Sequence, residues 1–242
     1  MLRNMARVGI PICRMGAWTS RKAYGYGSGR GGFTRGCRTK ESFYEEIISY
    51  PNVYDRVYSL EYIWDTFDYF MKRVIPVAEE NGIKLAIHPW IPVPILHGVG
   101  NIIHSHESMK RAVEVAGSNN FGFNFCTGEM GTGGGENGLY GDIVELARYW
   151  CKRDRVFSVH FRNISDHFPN KVVEVFPDNG YHDMYKILKT FKEVGYKGPI
   201  IPDHIPNCAT EKSSAGHGVG AAYCVAYIKG LLDAVNKEAV SG

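Results

Sequence analysis

Residues 156–164 read VFSVHFRNI, and how that stretch is read decides the fold. Val156, Phe157 and Val159 are apolar strand formers. His160, Arg162 and Asn163 follow at the end of the run. Polar side chains are costly to bury unless something pairs with them, so this strand runs out of a core and into a site. Three other apolar runs finish in the same way. KLAIHPW (84–90) reaches His88, FGFNFCTG (121–128) reaches Cys126, and GPIIPDH (198–204) reaches Asp203 and His204. ARVGIPI (6–12) reads as a further strand ahead of them.

Helical patterns separate these runs. Residues 59–80 place Leu60, Ile63, Trp64, Phe67, Phe70, Met71, Val74, Ile75 and Ala78 on one stripe, stopped by Asn81-Gly82. Pro76 inside that stripe is expected to kink or disrupt the helix. Further helices are expected over 105–116, 139–151, 182–194 and 217–236. Five βα units in series argue for a parallel sheet covered by helices. Two α/β architectures fit: an open doubly wound sheet, or part of a (β/α)₈ TIM barrel. A complete barrel takes about 250 residues at about 30 per unit. The units here are longer, and five are visible. No repeat or linker divides the chain, so residues 1–242 are expected to form one domain.

The chain has 242 residues, 44% of them hydrophobic, enough for a core. A formal net charge of +3 does not suggest a general nucleic-acid binder. No stretch is apolar enough to span a membrane, and the N-terminus is a poor signal peptide. The six cysteines form no CxxC pair and read as reduced thiols of a cytoplasmic protein. Segment 19–40 carries six Lys or Arg and no acid. Its glycines neither follow a strand directly nor open a helix, which rejects a dinucleotide fingerprint. A short RNA-binding tract, a solvated loop and a basic lid over an anionic substrate are the readings it permits. GTGGGENG (131–138) is expected to be a second loop on the same face.

In parallel α/β folds the C-terminal strand ends share one face, where sites assemble. Two imidazoles, a thiolate and a carboxylate at four successive strand ends make a competent metal-ligand set. Any one of them alone would read as a core residue. His97, His104, His106, His167 and His182 fall in loops or near helix starts and are expected on the solvated surface. His217 lies just after the last strand, near the expected site.

LRNMARVGIPIC, RVIPVAEENGIKLAIHP, GFNFCTG, VHFRN, DMYKILKTFKEVGYKGPIIPDH and YIKGLLDA, taken in order, resemble the mannonate dehydratase family. The resemblance runs over nearly the whole chain. It implies a (β/α)₈ barrel of the xylose-isomerase-like type. The implied reaction removes water from D-mannonate, a small sugar acid, to give 2-keto-3-deoxy-D-gluconate, usually with Mn²⁺. It implies His88, Cys126, His160 and Asp203 as metal ligands and His204 as a catalytic acid/base. It places Arg162 and Asn163 near the substrate. Thiolate is a soft ligand, so Fe²⁺ and Zn²⁺ also suit the set. His217, within Gly216-His217-Gly218, stands where the family's dehydratases carry a catalytic tyrosine. The first three strands of the family have no counterpart here, which is expected to leave raw sheet edges that self-association into a homo-oligomer could cover. Two alternatives stay open: a metal-dependent sugar isomerase or epimerase on the same barrel, and an inactive remnant. The isomerases typically lean on Glu ligands, and none of the four positions is Glu.

Overall fold

The computed structural model describes residues 1–20, 22, 30–135, 138–208 and 218–241. In chain order the elements are α1 (Leu2–Arg7), β1 (Ile12–Met15), β2 (Arg30–Thr34), β3 (Cys37–Ser42), α2 (Tyr44–Ser49), α3 (Leu60–Glu80) and β4 (Lys84–Ile87). There follow β5 (Ile95–Leu96), β6 (Val99–Gly100), α4 (His106–Ala116), β7 (Phe121–Cys126), α5 (Thr127–Thr132), α6 (Ile143–Cys151) and β8 (Val156–His160). The chain closes with β9 (Asn163–Ile164), β10 (Val172–Val175), α7 (Met184–Glu193), β11 (Ile200–Ile201) and α8 (Val219–Ser241).

The expected five strands form one sheet in the order β1-β4-β7-β8-β11, every pair parallel. Every residue of β7 and β8 is buried, as a sheet covered on both faces requires. Phe67, Met71 and Ala78 of α3 pack with Leu85, Phe121, Phe123, Phe125 and Val159 of the sheet, and with Trp150 and Phe191 from α6 and α7, in one core. Local chemistry sets the helix starts. Asp142 accepts from the Val144 and Glu145 amides, Asp183 from the Lys186 amide, and Ser105 and Ser108 form a reciprocal capping box. No helix among the described residues is long and apolar enough to cross a membrane.

Three expectations are corrected. Segment 6–12 is not one strand: α1 ends at Arg7 and β1 begins at Ile12. Gly9, at φ 73°, and Pro11, which has no amide hydrogen, hold a turn between them. Pro76 does not interrupt α3, which runs from Leu60 to Glu80. Pro76 is exposed, so the carbonyl one turn back that loses its donor faces water. The basic segment is not all loop. Residues 30–34 and 37–42 form a hairpin whose Arg35-Gly36 turn has φ 48° and 76°, the two positive angles a tight two-residue turn needs. Residues 21 and 23–29, where the lid reading partly rests, lie outside the described residues, as do Glu136 and Asn137 of the glycine-rich stretch.

The hairpin belongs to a second, antiparallel sheet, ordered β2-β3-β10-β9. Ser42 pairs with Val172, and Glu174 with Ile164. This sheet starts where VHFRN ends, so the main sheet's polar rim and the antiparallel sheet meet.

Candidate metal centre

The strand register brings the ligand candidates together. Cys126 pairs with His160 across β7 and β8, and His160 with Ile201 across β8 and β11. Asp203 comes two residues after β11, and His88 directly follows β4. One donor atom each from His88, Cys126, His160 and Asp203 lies within 4.8 Å of the others. Donors sharing one ion lie about 3.3–4.4 Å apart, so this group needs only a small inward shift to share one.

Each donor is pre-set. His88 is buried, and its Nδ1 lies 2.6 Å from the Pro89 carbonyl. A carbonyl only accepts, so Nδ1 carries the hydrogen and Nε2 is the free lone pair. Burial, with Arg14 and Arg162 nearby, pulls the His88 pKa down to about 4, against the pull of Glu129 and Asp203, and keeps the ring neutral. The Cys126 sulfur receives the Glu129 amide and Arg162 Nε, both at 3.4 Å. His160 Nδ1 is buried, 3.0 Å from Asp203 Oδ2, yet not aligned for a hydrogen bond with any group. A buried ring nitrogen left this way beside a carboxylate fits a site built around a cation. Burial works against ionisation of Asp203, but His160, His204 and Arg162 outweigh it and hold its carboxyl well below the usual range. Two nitrogens, one sulfur and one oxygen suit a divalent transition metal.

Arg162 is buried at 4% exposure, and it faces the protein's own anions. Its guanidinium lies 2.9 Å from Glu129, 3.4 Å from Glu174 and 3.6 Å from Asp203. A Cβ on Gly128 would run into that guanidinium, which its ion pairs hold in place. Thr127 Oγ1 donates to the Arg162 carbonyl and accepts from its amide, locking the turn after His160. Asn163 spends its side chain on loop backbone. Its amide nitrogen donates to the Pro177 and His182 carbonyls, and its oxygen accepts from the Ile164 and His182 amides. That side chain is fully engaged in tying loops together.

His204 adopts φ 46°, a left-handed conformation that costs a non-glycine residue about 1–3 kcal/mol. The twist swings its ring off the strand alternation. Nδ1 meets Glu174 Oε1 at 2.5 Å, and Nε2 stays 3.8 Å from Asp203. Asp203 and His204 are each 25% exposed, so the site opens to solvent on their side. His217 lies outside the described residues.

Sequence reasoning missed Glu129 and Glu174. Each is a lone acid in apolar or glycine surroundings, CTGEM and VVEV, and that isolation was the available signal. It also misplaced two histidines. His97 and His182 are buried: His97 bonds the Ile47 carbonyl, and His182 packs against Gly131.

A family model described as D-mannonate dehydratase (UxuA) matches residues 39–241. The mannonate dehydratase of Thermotoga petrophila is 34% identical over 200 residues, 81% of this chain and 53% of its own length. The chain thus spans about half the length of the curated relatives it matches. The crystal structure of mannonate dehydratase from Streptococcus suis serotype 2 superposes with TM-score 0.82 at 23% identity, covering 98% of this chain and 70% of that one. A xylose isomerase-like TIM barrel protein from Mycobacterium smegmatis gives TM-score 0.59 at 17% identity, over 97% and 65%. At those identities the two structures establish the fold: this sheet is part of a TIM barrel.

Proposed function

The chain belongs to the D-mannonate dehydratase family, and from that premise we propose that it forms the metal-bearing part of a hydro-lyase converting D-mannonate to 2-keto-3-deoxy-D-gluconate. The observation that carries this reading is the convergence of His88, Cys126, His160 and Asp203 within 4.8 Å. These four would hold Mn²⁺, or Fe²⁺, which the thiolate also suits. A divalent cation there supplies Lewis acidity, easing the charge that builds on the sugar acid's carboxylate when the neighbouring proton leaves.

The protein's own groups do the rest. Glu174 accepts the Nδ1 hydrogen of His204, which leaves Nε2 as the nitrogen that takes and returns the proton. Arg162 offsets the charge of the thiolate and three carboxylates in the site floor. Arg14 and Lys40 are exposed near His88 and Glu174 and supply positive charge at the rim for an anionic substrate. Asn163 acts by holding the loop under that floor, and His217 is the candidate for a second proton transfer. A reducing cytoplasmic setting suits the thiolate ligand.

The test is metal content and keto-acid formation from D-mannonate on the same preparation. Keto acid that forms in proportion to bound metal, and stops on chelation, supports the reading. Chain that takes up no divalent metal overturns it, and fully metallated chain that yields none shows that this part does not turn over by itself.

A further inference from the structure

Cys37 and Cys208 lie far apart in sequence, yet their sulfurs are 3.0 Å apart. Their backbones explain the meeting. Arg38 and Asn207 exchange both amide hydrogen bonds, at 2.8 and 2.7 Å, as an antiparallel bridge. Cys37 and Cys208 come one step outward from that bridge, and residues at this non-hydrogen-bonded position of an antiparallel pair have Cα atoms about 4.5 Å apart as a rule. A disulfide needs roughly 4.4–6.8 Å between Cα atoms and about 2.05 Å between sulfurs. That spacing suits a disulfide, and the sulfurs must close by about 1 Å.

The remaining cysteines are less available. Cys13, Cys126, Cys151 and Cys224 are buried, whereas Cys37 and Cys208 are both partly exposed. Cys224 also neighbours Cys208, but burial pushes its thiol up to about 12, so it carries almost no thiolate near neutral pH. The position of the pair matters as well. Cys208 comes soon after Asp203 and His204, and Cys37 begins β3, whose other end pairs with the strand carrying Glu174.

We propose that Cys37 and Cys208 form a reversible disulfide that pins segment 203–208, with Asp203 and His204, to the antiparallel sheet. The oxidant is a low-molecular-weight disulfide such as oxidised glutathione. One protein thiolate attacks a glutathione sulfur, the glutathione S–S bond breaks, and one reduced glutathione leaves with a proton. The second protein thiolate attacks the mixed disulfide, the protein S–S bond forms, and the second glutathione leaves. Two protein thiols lose two electrons and two protons, and one oxidised glutathione becomes two reduced molecules.

The test equilibrates the whole chain with oxidised glutathione, alkylates the remaining thiols and maps non-reduced peptides by mass. Alkylatable thiols should fall from the six present to four, with Cys37 and Cys208 peptides joined and lighter by two hydrogens. The oxidised form should unfold at a temperature roughly 5 °C or more higher. Dithiothreitol should reverse both changes. Cys37→Ser and Cys208→Ser should each abolish the shift and leave a glutathione adduct on the remaining partner. A Cys208–Cys224 bridge, glutathione adducts without a bridge, or six intact thiols would each overturn the proposal. The unmodified chain decides this by itself if either variant fails to fold.

Discussion

The parallel and antiparallel sheets serve the same site by different means. In the parallel sheet, position follows from strand ends. Each of β4, β7, β8 and β11 is a short apolar run, and its polar residue lands on the rim because parallel strands share a C-terminal face. In the antiparallel sheet, position follows from pairing. β3 is half-buried and mostly polar, and β10 reaches the site through Ser42 pairing with Val172. The first sheet holds the donors, while the second brings Glu174 to His204 and Arg162. The identity of the candidate donors is thus written locally, and their environment is written across the chain.

The largest test separates the two contributions. His160→Ala, on the parallel rim, should lose metal and turnover together. His204→Ala should keep its metal and lose turnover by about 10²–10⁴-fold, the range for general acid/base catalysis. Metal analysis beside rates decides this, and loss of metal from the His204 variant would erase the distinction. Next comes the group between the sheets. Arg162→Met leaves Glu129, Glu174 and Asp203 without their buried cation and should cost about 3–5 kcal/mol of stability in urea unfolding. A loss under about 1 kcal/mol would show that the carboxylates are neutralised some other way.

A third effect lies in the parallel body. Burial lowers the His182 pKa from 6.5 to about 4. The unfolded chain then takes up the proton more readily than the folded one. Stability present above pH 6.5 should fall as the pH drops from 6.5 through about 4, by up to roughly 3 kcal/mol. His182→Asn should flatten that part of the stability curve, and an unchanged slope would remove His182 from the acid response. The smallest effect belongs to the antiparallel sheet. Glu174→Gln should keep the metal and lower turnover about 10–100-fold, as removing a carboxylate that orients a histidine does. A normal rate would make Glu174 a partner of Arg162 alone.

What was legible in the sequence shares one property: it was local. The four apolar runs, their polar ends and the capped helices each rest on neighbours a few residues away. Segment 6–12 was misread because a helix, a turn and a strand share one short apolar run, which periodicity cannot divide. The burial of His97 and His182 was missed because their cover, the Ile47 carbonyl and Gly131, comes from remote segments.

The sequence by itself determined the parallel βα order and the polar strand ends at His88, Cys126, His160 and Asp203, because strand-end residues inherit their place from the run they terminate. Only the tertiary structure decided that Arg162 faces carboxylates, that Asn163 ties loops, that His204 turns through a positive φ to meet Glu174, and that Cys37 lies beside Cys208. Each of these depends on which distant strands pair, and that follows from the packing of the whole chain.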